Sequence, residues 1–390
     1  MLNAPFPPWP VFAPDERRAV QSVLVSGRVN YWTGQEGRKF ENEYANYTGR
    51  NHAVALANGT LALELALRIH DVGPGDEVVT SCWTFIASAS CAAMLGAKPV
   101  LADVEADSLN ISARTIEGVC TPRTRAVVCV HLAGRPCEMD SIMALAEERG
   151  LAVIEDCAQA HGAAYRDRPV GSIGHAGAFS FCQDKIMTTG GEGGMLVVDD
   201  EEMWKRAWAY KDHGKSWDAV HGTHKPGFRW LHESFGTNWR MTEMQASIGR
   251  VQLGKLDQWV GARRSNADIL TQGFRKLSGL EVFEVPDHIK HAYYKYYVRI
   301  ASQALKSGWD RDRVMNRIVE LGVPCYAGIC PEIYREKAFT KAGFGPAGPL
   351  PAAHDLGGRV LMFLVHPTLG GRDMEKTIDI VGRVMAEAVR

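Results

Sequence analysis

HAVALANGTLALELAL, residues 52–67, changes period in mid-stretch. His52 to Ala57 is an apolar run of strand length, Asn58-Gly59 is a turn, and from Thr60 onward the pattern is helical. Working outward, Val- and Ile-rich candidate strands recur at Glu77 to Cys82, Lys98 to Val104, Arg125 to His131 and Leu151 to Asp156. Helices are expected after Thr60, after Thr84 and from Glu138 to Arg149. Such alternation predicts an α/β fold with a mostly parallel sheet covered by helices on both faces. In sheets of that kind ligands sit beyond the carboxyl ends of the strands, so chemistry is to be sought just after each run.

After Asp156 the rhythm shortens to Gly177–Cys182 and Gly194–Asp199, separated by the turn TTGGEGG. A long helical region from Met241 toward Leu277 leads to a C-terminal part with a tyrosine-rich strand, Tyr293 to Ile300. A helix from Asp310 to Leu321 and a terminal helix after Gly371 follow. Upstream, the proline-rich opening through Pro14 reads as an arm lying across a surface, and Asp15 and Glu16 start a short helix. Phe40, Tyr44 and Tyr47 recur at helical spacing before Gly49. The expected division is an arm at 1–14, a large domain at 15–260 and a small domain at 261–390, with no internal repeat.

Lys plus Arg count 44 against 45 Asp plus Glu in 390 residues, so no long-range field collects nucleic acid or anionic lipid. The 9 cysteines are scattered, with no C-x-x-C pair and no His partner at zinc spacing, so reduced thiols and no metal are expected. The N-terminus lacks a basic region followed by an apolar one, and the longest small, apolar run, Phe85 to Ala97, is too short to span a bilayer. A soluble, cytoplasmic protein is the expectation.

The chemistry-bearing residues fall after strands. In FSFCQDKIMTTGGEGG, residues 179–194, Lys185 follows a strand and precedes a flexible turn, where partial desolvation makes an amine nucleophilic toward an aldehyde. Most loop lysines are only solvated charges. Val153-Ile154-Glu155-Asp156 ends an apolar strand in carboxylates; Asp156 there can hold a protonated pyridine nitrogen or simply cap the next helix. Gly59 and Thr60 open a helix whose free N–H groups suit a phosphate, with Ser180 as a further hydroxyl, although taken alone the segment reads first as a plain N-cap. Phe85, in SCWTFIAS, offers a face for a planar ring; Trp83 competes, and either can be core.

Taken together these segments resemble the DegT/DnrJ/EryC1/StrS sugar aminotransferases, of the aspartate-aminotransferase fold, fold type I of the pyridoxal-phosphate enzymes. The resemblance runs from WTGQEGRKFENEYANYTG through ANGTLALELAL, GPGDEVVTSCWTFIAS, CVHLAGRPCEMD, VIEDCAQAHGA and FSFCQDKIMTTGGEGG to TNWRMTEMQASIG. It implies a large domain with a mostly parallel seven-stranded sheet and a smaller C-terminal α+β domain. It further implies that Lys185 is the Schiff-base lysine of pyridoxal 5'-phosphate, which cycles through pyridoxamine 5'-phosphate, and that Asp156 holds the ring nitrogen. Gln159 would sit near the phenolic oxygen, Phe85 would stack on the ring, and Gly59, Thr60 and Ser180 would grip the phosphate. Asn238 would reach that phosphate from the neighbouring subunit of a homodimer. His131, in the family's V-H-x-x-G pattern, is a substrate-binding candidate or a satisfied core histidine. His213 and Arg240 are looser candidates for a carboxylate or a diphosphate.

The implied substrates are L-glutamate and a nucleotide-linked keto sugar, a 4-keto-6-deoxyhexose by family frequency. Related sugar dehydratases carry His where Lys185 stands, which argues against that alternative. A nicotinamide-dependent Rossmann oxidoreductase needs G-x-G-x-x-G after its first strand, and Gly171 to Gly177 has the wrong spacing and comes late in the chain. The stretch HKPGFRWLHESFGTNWRM is longer and more aromatic than the family's usual loop, which bears on substrate choice.

Overall fold

A computed structural model of the chain describes residues 5–223 and 227–390; the first four residues of the expected arm and residues 224–226 of the long loop lie outside the described residues. Seven strands form the large sheet: β1 (His52–Leu56), β2 (Glu77–Ser81), β3 (Lys98–Ala102), β4 (Thr124–Val130), β5 (Ala152–Asp156), β6 (Ala176–Ser180) and β7 (Gly194–Val198). Their order is β1-β7-β6-β5-β4-β2-β3. Only β7 runs against its neighbours, β1 and β6; the others are parallel.

Alternate side chains feed two layers, as the two-residue period of a strand requires. Val54, Leu56, Val128, Ile154, Leu196 and Val198 pack with Leu63, Leu65, Leu67 and Ile69 of the helix Gly59–Ile69. Ala53, Ala55, Phe179, Met195 and Val197 face Phe40 and Tyr44 of the helix Glu36–Thr48 on the other side. Strands buried on both faces read as unbroken apolar runs, which is why these segments were legible without alternation. The carboxyl ends of β1, β2, β5 and β6 share one edge, so the segments after them converge there.

The helical stretch expected from Met241 to Leu277 is two helices, Glu243–Leu253 and Leu256–Phe274. They break at Gly254-Lys255, where Lys255 Nζ pairs with Asp15 and Glu16 at 2.8 Å. Those two carboxylates open the helix Pro14–Ser26, so the ion pairs pin the turn to it. The helix Leu256–Phe274 serves two cores: Leu256 and Val260 join the large-sheet layer, while Ala267, Leu270 and Phe274 join a second cluster.

That second cluster lies under a four-stranded antiparallel sheet ordered Leu280–Val282, Tyr296–Ile300, Val360–Phe363, Cys325–Tyr326. The helices Arg311–Glu320 and Gly371–Ala388 cover it, the latter through Met374, Ile380, Val381, Val384 and Met385 at helical spacing. The strand expected from Tyr293 starts only at Tyr296, because Tyr293 takes a left-handed conformation, φ 48°, and stacks on His291 with ring centroids 3.9 Å apart. A three-stranded sheet of two-residue strands, Ile289–Lys290, Ala164–Tyr165 and Arg168–Pro169, was not legible in the sequence, since two residues carry no period. Among the described residues no helix is long and apolar enough to cross a membrane, and all nine cysteines are free thiols.

Candidate active site

A cavity of about 960 Å³ opens at the carboxyl edge of the large sheet, between it and the second sheet. Gly59, Thr60, Phe85, Asp156, Gln159, Ser180 and Lys185 all line it. They arrive from the ends of four strands, β1, β2, β5 and β6.

Asn58 caps the helix Gly59–Ile69 by accepting the Leu61 N–H at 3.0 Å. The N–H groups of Gly59 and Thr60 remain among those a helix start leaves unpaired, at the positive end of its dipole. Glycine is required at 59 by proximity: a Cβ there would lie 2.5 Å from Ser180 Cβ. Ser180 Oγ accepts the Cys182 N–H at 3.3 Å, which leaves its hydroxyl hydrogen free to donate. Beneath it, His161 donates from Nε2 to the Ser180 carbonyl at 2.8 Å and accepts from the Tyr44 hydroxyl at Nδ1, also at 2.8 Å. Burial, together with the nearby charges of Lys185 and Arg263, lowers the His161 pKa from 6.5 to about 4.

Asp156 ends β5, 6% exposed, and its carboxylate accepts from Ser88 Oγ at 2.6 Å and the Ala158 N–H at 3.1 Å. Ser88 is also bonded to Thr84 Oγ1 at 2.8 Å, so the helix Ala87–Met94 holds the carboxylate in place. Gln159 Oε1 accepts the Ala133 N–H at 2.8 Å, leaving its NH₂ group as the donor it can offer the cavity. Of the two aromatic candidates, Trp83 is 1% exposed in the core and Phe85 is 60% exposed at the cavity.

Lys185 sits in the turn after β6. Its N–H donates to the Cys182 carbonyl at 3.1 Å, and its carbonyl accepts the Trp9 indole N–H at 2.9 Å, so the N-terminal arm touches this turn directly. The amine lies 5.1 Å from the ring centroid of Tyr294. No carboxylate among the described residues forms an ion pair with it.

Other cavity residues were not picked out in the sequence. Tyr294 donates its hydroxyl to Asp184, and Lys295 Nζ stands 3.9 Å from the same carboxylate. Burial works to raise the Asp184 pKa, but the Tyr294 hydroxyl and the charges of Lys185 and Lys295 hold it below the usual range. Burial raises the Tyr294 phenol in turn, with the Asp184 charge adding to the effect. Ser88 stood in the quoted SCWTFIAS and carried a readable signal, a hydroxyl one helical turn past Phe85. Tyr294 and Lys295 carried none, because their strand pattern says nothing of what faces it.

The remaining candidates do not line the cavity. His131 is fully buried, donating from Nε2 to Glu155 at 3.0 Å and accepting the Cys137 N–H at Nδ1 at 3.1 Å. These are the surroundings of a satisfied core histidine. Glu155, which with His131 and Cys157 forms a tight buried group, accepts three further N–H bonds from Gly171, Ile173 and Gly174. Its lone pairs are filled by protein donors. Arg240 is committed to buried Asp212 at 2.5 Å, alongside Lys215 at 3.1 Å. His213 is exposed with φ 60°, its N–H bonded to the Thr237 carbonyl. Asn238 is exposed next to the end of β1, where Trp239 accepts the Ala57 N–H at 2.9 Å. In the long loop, Phe228, Trp230 and Phe235 are 81%, 84% and 100% exposed.

The sequence pattern described as the DegT/DnrJ/EryC1/StrS aminotransferase family matches residues 11–382. The chain belongs to that family. The aminotransferase is similar to a solved aminotransferase from Psychrobacter cryohalolentis, with TM-score 0.97 and 52% identity over 98% of this chain and 99% of that one. It is 38% identical over 299 residues to the GDP-perosamine synthase of Caulobacter vibrioides, covering 75% of this chain and 76% of the relative. A Streptococcus pneumoniae protein solved in a PMP form superposes with TM-score 0.89 at 26% identity, over 99% of this chain and all of the other; its PLP form gives 0.87. The architecture of the aminotransferase is therefore fold type I, as the resemblance implied.

Proposed function

We propose that this aminotransferase binds pyridoxal 5'-phosphate at Lys185 and transfers an amino group from L-glutamate to a keto sugar carried by a nucleotide. One observation carries the reading: Lys185, an amine without an ion-pair partner among the described residues, and Asp156, a strand-end carboxylate, open on one cavity beside an aromatic ring that is 60% exposed. A large exposed aromatic in a cavity points to a planar partner. The donor set fits the group as well, with helix-start N–H groups and the Ser180 hydroxyl for a phosphate and the Gln159 NH₂ for a ring oxygen. The relative solved in PLP and PMP forms supports the cofactor.

When bound, pyridoxal phosphate supplies an aldehyde that exchanges amines and a ring that withdraws electrons from an adjacent carbanion. Asp156, fixed by Ser88 and Ala158, would hold the ring nitrogen and favour its protonated form. Phe85 would cover one face of the ring and keep water from it. Gly59, Thr60 and Ser180 would hold the phosphate oxygens. Lys185 Nζ accepts a proton from the α carbon of the amino donor, and later returns one to the sugar carbon that gains nitrogen.

The nucleotide-sugar substrate is supported by the GDP-perosamine synthase relative, and a 4-keto-6-deoxyhexose is the form we favour. We place the enzyme in a homodimer in which Asn238, exposed and outside its own cavity, completes the phosphate site of the second copy. The deciding experiment incubates the cofactor-loaded protein with glutamate and a panel of nucleotide keto sugars and reads product mass. Borohydride reduction and peptide mapping should fix the cofactor to Lys185, and Lys185→Ala should lose both fixation and transamination while remaining folded. A Lys185→Ala protein that turns over at the wild-type rate refutes the assignment.

A further inference from the structure

HAYYKYY, residues 291–297, brings a second amine into the cavity that proton transfer by Lys185 does not use. The left-handed turn at Tyr293 delays the strand to Tyr296, so Tyr294 and Lys295 both line the cavity. The Lys295 side chain is 17% exposed. Its nearest carboxylate oxygen, on Asp184, is 3.9 Å away, beyond hydrogen-bond range, and already accepts the Tyr294 hydroxyl. The Tyr294 ring, 4.6 Å from Nζ, offers a π face but no lone pair.

Charges of both signs surround this ammonium, the carboxylate of Asp184 acting on it most strongly. Lys185 stands on the same wall. Arg263, from the helix Leu256–Phe274, is 1% exposed, with Nε and Nη2 lacking a hydrogen-bond partner among the described residues. His366, from the segment after Val360–Phe363, is kept neutral by burial, its pKa lowered to about 3. Asp184 is the acidic group that acts on Lys295; Asp156 and Glu192 also line the cavity, and the phenols of Tyr294 and Tyr297 are pushed up by burial. A mostly buried ammonium without a hydrogen-bond acceptor is costly, and an anion entering the cavity and accepting from it relieves that cost.

We infer that Lys295 is the anion-binding group of this cavity, its ammonium taking a carboxylate or phosphate oxygen of a substrate. The inference rests on the aminotransferase reading for its choice of ligands: the carboxylate belongs to the amino donor, the phosphate to the sugar nucleotide. Burial, reinforced by Arg263 and Lys185 and opposed by Asp184, lowers the Lys295 pKa to about 8. Only the protonated amine binds an anion, so affinity falls as pH rises through that value.

The test titrates the cofactor-loaded protein by calorimetry, at neutral pH and again above the Lys295 pKa, with glutarate and separately with UDP, GDP and dTDP. Wild type, Lys295→Met and Lys295→Arg are compared. Lys295→Met should lose affinity on the order of tenfold or more for one ligand class and keep the other, with the cofactor absorbance unchanged. Loss of glutarate assigns the carboxylate, and loss of the nucleoside diphosphates assigns the phosphate. Lys295→Arg should retain binding and remove the decline seen in wild type above the Lys295 pKa. A Lys295→Met protein that binds both classes as wild type does overturns the inference, as does one that loses both together with its absorbance, or a wild type that takes up none of these anions. Cofactor fixation at Lys185 is scored separately: should it fail while Lys295→Met still selectively loses an anion, the chemistry is wrong and the anion site stands.

Discussion

Replacing Gly59 with alanine tests whether the start of the helix Gly59–Ile69 is a phosphate cradle. The added methyl would lie 2.5 Å from Ser180 Cβ and 3.0 Å from its Cα and Oγ. Carbon atoms in contact sit about 3.5–4.0 Å apart, so Ser180 or the helix start must move by about 1 Å. Overpacking of this kind costs about 1–3 kcal/mol, while alanine over glycine in a helix returns at most about 1 kcal/mol. Net destabilisation is then about 0–2 kcal/mol, a fall in Tm of a few degrees. Binding should suffer more than folding. Displacing one or two charge-assisted hydrogen bonds costs about 1.5–3 kcal/mol each, which is about 10-fold to 150-fold in affinity for the first of them. Absorbance titration with pyridoxal phosphate, run beside thermal unfolding, separates the two effects. A Gly59→Ala protein that binds the cofactor as tightly as wild type refutes the cradle.

Ser88→Ala removes the 2.6 Å hydrogen bond to Asp156 and leaves that carboxylate the Ala158 N–H. The donor half-reaction, followed by the change in cofactor absorbance, should slow about tenfold, in line with about 1.5 kcal/mol for a hydrogen bond to a charged group; an unchanged rate would show that Ser88 does not support the carboxylate. His161 sets a pH dependence of stability. Its pKa is 6.5 as a free side chain and about 4 when folded, so the unfolded chain takes up the proton first, and stability falls as pH drops from about 6.5 toward 4. The loss approaches about 3 kcal/mol at the low end. Urea unfolding across that range should show the slope, and His161→Gln should flatten it despite a lower starting stability; an equal slope in both proteins removes His161 as its source.

The strands of the large sheet were readable to within a residue or two because burial on both faces makes each of them an apolar run, a property local to five residues. Asp156, Lys185 and the Gly59 turn were findable because parallel strands put their carboxyl ends on one edge, so position in the run already implies position at the site. The split at Gly254-Lys255 was missed, since it depends on Asp15 and Glu16 arriving from far away in sequence. Arg240 looked available for an anion until Asp212 was seen beside it, and the two readings of Phe85 and Trp83 could not be separated without their exposures of 60% and 1%.

Periodicity and turn chemistry act between near neighbours, so the sequence by itself determined the alternation of strands and helices and the order in which the amine, carboxylate, aromatic ring and helix start occur. Which charges face one another was decided only by tertiary packing. Asp184 and Tyr294 meet across 110 residues, Trp9 reaches the Lys185 carbonyl across 176, and Lys295 enters the cavity because Tyr293 turns left-handed before its strand begins. Electrostatic pairing depends on distance in space, and no local pattern in the chain encodes a contact of that separation.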